Sequence, residues 1–169
     1  LQIVSYYDRS ELVDAALLTV IKVLLEGVVL VIIVLFLFLG DVRSSLIVVT
    51  SLVLTPLITF MVMNHYGLSA NLMSLGGLAI ATGLIVDGSV VVVENTFQRL
   101  AERKDISRMQ VILDAASEVA TPVIFGISII ILVFLPLMTL QGMEGKMFAP
   151  LAFTIAIALF VSLILALTL

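Results

Sequence analysis

Long apolar runs separated by short polar segments dominate the hydrophobic pattern of this chain of 169 residues. A helix needs roughly 20 mostly apolar residues to cross the hydrocarbon core of a bilayer, and five stretches approach that length. The pattern therefore predicts an all-α integral membrane protein whose fold is a multi-helix transmembrane bundle. The five predicted spans are residues 20–39, 46–63, 72–93, 123–140 and 148–169.

Two of the predicted spans contain a proline, Pro56 in the second and Pro136 in the fourth. Proline removes one backbone donor, but in a membrane the neighbouring helices can satisfy the carbonyl that it leaves without a partner. We therefore expect kinks at these two positions and no break in either span.

Amphipathic segments precede two of the spans. Apolar residues recur at helical spacing within residues 1–19, which predicts a connector helix that approaches the first span from a domain outside the membrane. The same spacing within residues 107–120 predicts an amphipathic helix at the membrane interface. Ser107 is expected to cap this helix, and Pro122 is expected to end it before the fourth span begins.

The basic residues are divided unequally between the two sides of the membrane. The positive-inside rule places the richer side in the cytoplasm, so residue 1 is expected outside and residues 107–120 on the cytoplasmic side. A chain that starts outside, without an initiator methionine or a basic leader, is expected to be a piece of a longer protein. The cytoplasmic side holds Arg43, Arg99, Arg103, Lys104 and Arg108, and the outer side holds Arg9 and Lys146.

Composition agrees with a protein made for lipid and argues against several functions. Hydrophobic residues make up 62% of the chain and charged residues 12%, and the mean hydropathy of +1.33 is far above that of soluble domains. The net charge of -4 argues against nucleic acid as a partner, because phosphate binding needs a basic surface. The chain has no cysteine, no P-loop and no convergent nucleophile and base, so neither an enzyme nor a cofactor is expected.

Asp87 is the residue that points most clearly to a function, since it is the one charged residue within residues 72–93. An ionised aspartate near the bilayer centre costs on the order of 2.5 to 3.5 kcal/mol, so such residues usually face a protein interior and mark an ion path. A carboxylate that exchanges its proton with one side and then with the other can couple proton entry to a conformational change. We therefore predict that Asp87 is a proton relay.

Small residues surround Asp87 on its helix. At about 100° per residue, three of them fall on the same face as Asp87 and Glu94, and a fourth follows Asp87 directly. Small side chains allow another helix to approach closely, so this face is predicted to pack against protein. The residues predicted to pack around the relay are Gly76, Ala79, Gly83 and Gly88.

Other interpretations of these residues stay open. Asp87 could be a helix-packing residue that accepts a hydrogen bond from a serine or threonine, without a role in transport. Glu94 lies near the cytoplasmic interface, where it is either a second acid of the ion path or a solvated residue at a helix end. Met73 is a candidate ligand of a soft metal, although methionine is also a common apolar filler.

Three segments carry a resemblance to a known family. They are LEGVVLVIIVLFLFLGDVRSSLI at 25–47, NLMSLGGLAIATGLIVDGSVVVVEN at 71–95 and LPLMTLQGMEGKMFAPLAFT at 135–154. In them the chain resembles the resistance-nodulation-division (RND) efflux transporters, and most closely their heavy-metal efflux branch. The resemblance implies that the spans are the second to sixth of twelve transmembrane helices, half of an RND-type transmembrane domain. It also implies an external porter domain before residue 1.

The resemblance further implies a homotrimer in the bacterial inner membrane, working with a periplasmic adaptor and an outer-membrane channel and exporting its substrate in exchange for protons. Asp87 matches the family's proton-relay aspartate, and Glu94 matches a membrane glutamate of the heavy-metal branch. The multidrug branch has two adjacent aspartates where this chain has Asp87 and Gly88, which favours the metal branch. The relay lysine of the family lies in the second half of such transporters, outside this segment.

Two departures from the family pattern leave the metal open. Exporters of zinc, cobalt and cadmium have a further aspartate where this chain has Ala81. Copper and silver exporters have a methionine where this chain has Ile85, although Met73 matches another of their membrane methionines. The sequence therefore predicts part of a secondary active transporter, a proton antiporter for heavy-metal cations. The alternatives are a multidrug or lipid-type RND exporter and a purely structural or assembly module of the membrane.

Overall fold

Continuous apolar sequence with few helix-breaking residues forms five long helices in the computed structural model, which describes residues 9–39, 42–102 and 107–169. No strand occurs in these three ranges, so the predicted all-α fold is confirmed for them. The helices are α1 (Arg9–Leu39), α2 (Val42–His65), α3 (Leu72–Glu102), α4 (Arg108–Met138) and α5 (Gly142–Thr168).

Four of these helices are long and apolar enough to cross a membrane, and each contains most or all of a predicted span. They are Ser44–His65 of α2, Leu72–Glu102, Arg108–Met138 and Gly142–Thr168. The first predicted span, residues 20–39, lies within α1, where the apolar segment recognised among the described residues is the shorter Leu25–Val34. The multi-helix membrane bundle expected from the hydrophobic pattern is therefore present.

The prediction that Pro122 ends an interfacial helix is wrong. Residues 108–120 and the fourth span form one continuous helix, α4, with Pro122 inside it. Proline removes a single backbone hydrogen bond, and neighbouring groups can satisfy the carbonyl that it leaves free, so a helix can continue through it. Ser107 does precede the helix, but its side chain makes no capping hydrogen bond.

The predicted connector before the first span and the other prolines also lie inside continuous helices. The described part of the predicted connector, residues 9–19, runs without a break into α1, while residues 1–8 lie outside the described residues. Pro56 and Pro136 lie inside α2 and α4, as the sequence predicted, and Pro150 lies inside α5.

A tight turn joins α2 to α3 and satisfies the backbone groups at both helix ends. Gly67 has φ of +68°, a conformation that favours glycine. The Leu68 N–H donates to the Met63 carbonyl at 2.9 Å and the Gly67 N–H to the Asn64 carbonyl at 3.1 Å, the bonds of a Schellman motif. The Ser74 N–H donates to Asn71 Oδ1 at 2.9 Å and the Asn71 N–H to Ser74 Oγ at 2.8 Å, a reciprocal cap that begins α3.

Helix α3 is the centre of the bundle, because it packs against each of the other four helices. Its buried face contributes to an apolar core shared with α4 and α5. The buried members of this core are Leu78, Ala81, Ile85, Val92, Val123, Ile127, Ile155, Ala158 and Leu159. With α3 in the middle, any group on its remaining face is held in place by a well-packed support.

Helices α3 and α5 approach each other backbone to backbone at Gly77. A Cβ atom built on Gly77 would lie 2.7 Å from the Leu151 carbonyl oxygen and 3.2 Å from Leu151 Cα. Ala81, Ala152 and Ala158 are fully buried. Small residues permit this close approach, which supplies the packing energy that holds helices together in lipid.

Buried hydroxyl groups lie along α2, and one of them bonds to α3. Thr55 donates to the Ser51 carbonyl and Thr59 to the Thr55 carbonyl, each at 2.7 Å within α2. Ser51 Oγ and Ser89 Oγ lie 3.2 Å apart and form a hydrogen bond between the two helices. Among the described residues, every buried side-chain nitrogen or oxygen has a hydrogen-bond partner, as an apolar medium requires.

Replacement of Gly77 by alanine is expected to destabilise the bundle. The new Cβ would overlap the backbone of Leu151, so α5 must move away at a cost of about 1 to 3 kcal/mol. Gly76→Ala is the matched control, since a Cβ at that neighbouring position meets nothing within 4 Å. The free energy of unfolding of this segment in mixed micelles measures both, and equal stability of the two variants would contradict the close approach.

Candidate functional site

Helix α3 has one face packed on its neighbours and one face that the described residues leave uncovered. Asp87 lies on the uncovered face, and its side chain is exposed. We call this surface the open face of α3. Its members are Gly76, which is half-buried, and Ala79, Gly83, Asp87 and Glu94, which are exposed.

The described helices do not cover Gly76, Ala79 and Gly83, so the predicted packing of these residues against protein stays a prediction. A Cβ built on Gly76 or Gly83 meets nothing within 4 Å, and Ala79 is exposed. The close helix contact is made by Gly77, on a different face. Small residues occur on several faces of α3, so their spacing alone could not indicate which face α5 would cover.

Gly88 faces α4, and its predicted place in the packing around the relay stays a prediction. A Cβ built there would lie 3.6 Å from both Ile127 Cδ1 and Val123 Cγ1, which is ordinary van der Waals contact with α4. Gly88 therefore faces an apolar surface, whereas Asp87, one residue earlier, faces away from it. This arrangement gives the two adjacent positions opposite environments.

Asp87 makes no hydrogen bond or ion pair with any other residue that the structure describes. The nearest hydroxyl along the helix, that of Ser89, is on the buried face and is bonded to Ser51. An ionised aspartate exposed to hydrocarbon costs on the order of 2.5 to 3.5 kcal/mol. The carboxylate is thus placed in the apolar part of α3 without a partner among the described residues.

Glu94 lies two turns beyond Asp87 on the open face and is also exposed. Its neighbour Asn95 points to the other side, where its side-chain amide Nδ2 donates to the Ala115 carbonyl of α4 at 2.8 Å. The two residues therefore divide between the open face and the packed face, as Asp87 and Gly88 do.

An ion pair lies one turn beyond Asn95. Arg99 Nη2 is 2.7 Å from Glu118 Oε1, and Arg99 Nε is 3.2 Å from Glu118 Oε2. Together with the bond from Asn95 to Ala115, this pair joins the end of α3 to the start of α4, and we call these four residues the α3–α4 clasp. Sequence reasoning counted Arg99 only as a basic residue, because nothing in the local pattern indicates a partner on another helix.

No cluster of three or more histidine, cysteine, aspartate or glutamate side chains that could bind a metal occurs within the described ranges. Met73 is half-buried in the first turn of α3, and its role as a metal ligand stays a prediction. Met63 is buried, and its sulfur lies 3.5 Å from Thr154 Oγ1, whose hydroxyl donates to the Pro150 carbonyl at 2.7 Å. This thioether therefore takes part in the packing of α2 on α5.

The chain matches proteins of one family along its whole length. The model of the AcrB/AcrD/AcrF family matches residues 1–169. The cobalt-zinc-cadmium resistance protein CzcA of Cupriavidus metallidurans is 49% identical over 99% of this chain, and the cation efflux system protein CusA of Escherichia coli is 45% identical over 90% of it. The chain spans 16% of the length of each of these relatives.

A solved structure supports the same assignment. The crystal structure of a heavy metal efflux pump, in its second crystal form, superposes with a TM-score of 0.83 at 44% sequence identity. The match covers 97% of this chain and 16% of that one. The chain thus belongs to the AcrB/AcrD/AcrF family of RND efflux transporters, and the resemblance to the heavy-metal branch seen in its sequence is confirmed.

Proposed function

We propose that this segment carries the proton-accepting carboxylate of a proton-driven exporter of heavy-metal cations, and that Asp87 is this carboxylate. The observation that supports the proposal is the position of Asp87 on the open face of α3, within an apolar helix whose opposite face is fully packed.

The open face requires a cover, because a carboxylate exposed to hydrocarbon is costly. The segment spans only 16% of the length of its relatives, so most of the parent protein is available to supply that cover. Gly76, Ala79 and Gly83 would allow a further helix to approach α3 closely beside Asp87. We propose that the missing part of the parent packs here and encloses the carboxylate.

Protonation of Asp87 would then change the interaction across this contact. The neutral acid is compatible with a closed, dry contact, whereas the carboxylate favours water or a cation beside it. Moving one charge through a potential of 100 mV supplies about 2.3 kcal/mol, which is enough to shift a conformational equilibrium. Since Asp87 makes no bond with the described helices, the change acts on the contact with the rest of the parent.

Glu94 is proposed as an auxiliary acid on the same face. It lies closer than Asp87 to the end of α3 that the charge distribution places in the cytoplasm. A second carboxylate two turns from the first could pass protons between Asp87 and that side. This role requires Glu94 to remain on the open face, where the structure has it.

The substrate is proposed to be a metal cation, because the relatives are named for cation efflux and for cobalt, zinc and cadmium resistance. Ala81 and Ile85, which stand where the family's metal exporters have an aspartate and a methionine, are buried apolar side chains. These two positions therefore supply no ligand here, and Met73 remains the candidate. For the whole transporter we propose a homotrimer in the bacterial inner membrane, residue 1 on the periplasmic side, with a periplasmic adaptor and an outer-membrane channel.

The multidrug alternative is disfavoured by the surroundings of Gly88. The multidrug branch has a second aspartate at this position, but here the position faces Val123 and Ile127. A carboxylate would be pressed against two apolar side chains. A purely structural module would require Asp87 to bond with the missing part of the parent, because it makes no packing bond with the described helices.

Replacement of Asp87 by asparagine is expected to abolish metal-driven proton flux without loss of the trimer, because asparagine has nearly the same shape but carries no exchangeable acid proton. The measurement uses the full-length parent in proteoliposomes, with zinc and copper or silver tested separately. Glu144→Gln removes an exposed acid from the first turn of α5 and should leave flux unchanged. Undiminished flux in Asp87→Asn would establish the structural module instead.

Glu94→Gln is expected to lower the maximal flux partially, by roughly tenfold, which corresponds to about 1.4 kcal/mol. The loss is incomplete because Asp87 remains able to exchange protons. The same proteoliposome assay measures it. Flux equal to wild type would mean that Glu94 is only a solvated residue near a helix end.

Gly88→Asp is expected to destabilise the protein instead of creating a multidrug-type pair of acids. The cost of placing a carboxylate against Val123 and Ile127 is on the order of 2.5 to 3.5 kcal/mol. Gly88→Ala is the control, since its Cβ would make ordinary contacts at 3.6 Å. Thermal unfolding in detergent compares the two, and a stable Gly88→Asp protein that exports organic substrates would favour the multidrug alternative.

A further inference from the structure

We infer that Asn95, Arg99 and Glu118 are positioning residues, which make the end of α3 and the first part of α4 move as one unit and so hold Glu94 on the open face. The inference rests on the proposed function of Asp87 and Glu94. It concerns the α3–α4 clasp, whose residues take no direct part in the proposed proton transfer.

The clasp acts at two successive turns. Asn95 and Arg99 are four residues apart on α3, and Ala115 and Glu118 are three apart on α4, so each pair forms a stripe along one side of its helix. Val92 is the last buried residue of α3, so beyond it a single bond would leave the end of the helix free to rotate about the point of contact. Two bonds, at 2.8 Å and 2.7 Å, constrain both the separation of the helices and the rotation of α3.

Rotation is the property that matters for Glu94. Adjacent residues of a helix project about 100° apart, so the direction of Asn95 determines the direction of Glu94. With the Asn95 amide bonded to the Ala115 carbonyl, Glu94 must point toward the open face. Ala115 is only 1% exposed, so its carbonyl lies at a dry contact between the helices. In such surroundings the bond from Asn95 competes little with water.

The ion pair is well aligned but partly exposed. The side chains of Arg99 and Glu118 are 34% and 51% exposed, and their two parallel hydrogen bonds form a fork. Arg99 also lies 3.7 Å from Glu102 on its own helix, a contact that does not join the helices. Glu102 therefore provides a control that alters the charge around Arg99 without breaking the link to α4.

Pro122 lies between the clasp and the next contact of α4 with α3. Above it, Val123 and Ile127 pack on Gly88, and below it Ala115 and Glu118 form the clasp. Proline donates no backbone hydrogen bond and is the usual cause of a kink. If α3 shifts during transport, the clasped part of α4 follows it, and α4 bends at Pro122.

The first test exchanges the charges of the ion pair in the full-length transporter. Arg99→Glu and Glu118→Arg are each expected to lower the maximal proton flux about threefold, the effect of one partly exposed pair, with the metal KM unchanged. The double variant Arg99→Glu/Glu118→Arg should recover most of the flux, and Glu102→Gln should resemble wild type. A pair that only stabilised the fold would lower the unfolding temperature and leave the flux of the folded trimer unchanged.

The second test asks whether the two segments separate during transport. In a parent without other cysteines, Asn95→Cys/Ala115→Cys is assayed reduced and after disulfide formation; this segment itself contains no cysteine. If the segments move as one unit, the cross-linked protein transports at least as fast as the reduced one. Arrest of flux by the cross-link would overturn the inference.

Asp87→Asn is measured beside these variants so that two failures can be told apart. If Asp87→Asn retains flux, the proposed function fails. If Asp87→Asn is inactive but single charge reversals match wild type, or the double variant does not recover, only the positioning role fails. The charge-exchange variants distinguish these two failures even if the engineered disulfide does not form.

Discussion

The backbone contact between α3 and α5 at Gly77 is the interaction on which the other features of the bundle depend. A virtual Cβ only 2.7 Å from the Leu151 carbonyl shows that no larger residue could stand there without moving α5. This contact brings the buried alanines of both helices together and anchors α3 by one face. Because α3 is anchored in this way, its opposite face is free to carry an acid.

The division of α3 into two faces gives neighbouring residues different roles. Asp87 and Glu94 lie on the open face, while Gly88 and Asn95, each one residue further on, contact α4. A helix periodicity of about 100° per residue is sufficient to separate the two sets. The same packing that stabilises α3 therefore also determines which way its acids point.

The spans and the position of Asp87 could be predicted because both depend on local composition, which a bilayer constrains strongly. Continuity of α4 through Pro122 could not, since a proline within a helical pattern is compatible with a helix end or with a kink. The face covered by α5 was also missed, because glycines occur on more than one side of α3. The bond between Asn95 and Ala115 joins residues 20 apart in the chain, and no periodic signal marks it.

The hydroxyl groups of α2 have a mechanical consequence. Thr55 and Thr59 donate to carbonyls of their own helix, so they remain satisfied wherever α3 lies. The hydrogen bond between Ser51 and Ser89 is the link that a sliding motion of these two helices would have to break. A sliding motion of α2 along α3 would therefore leave the hydroxyls of Ser51 and Ser89 in need of new partners, whereas Thr55 and Thr59 would keep theirs.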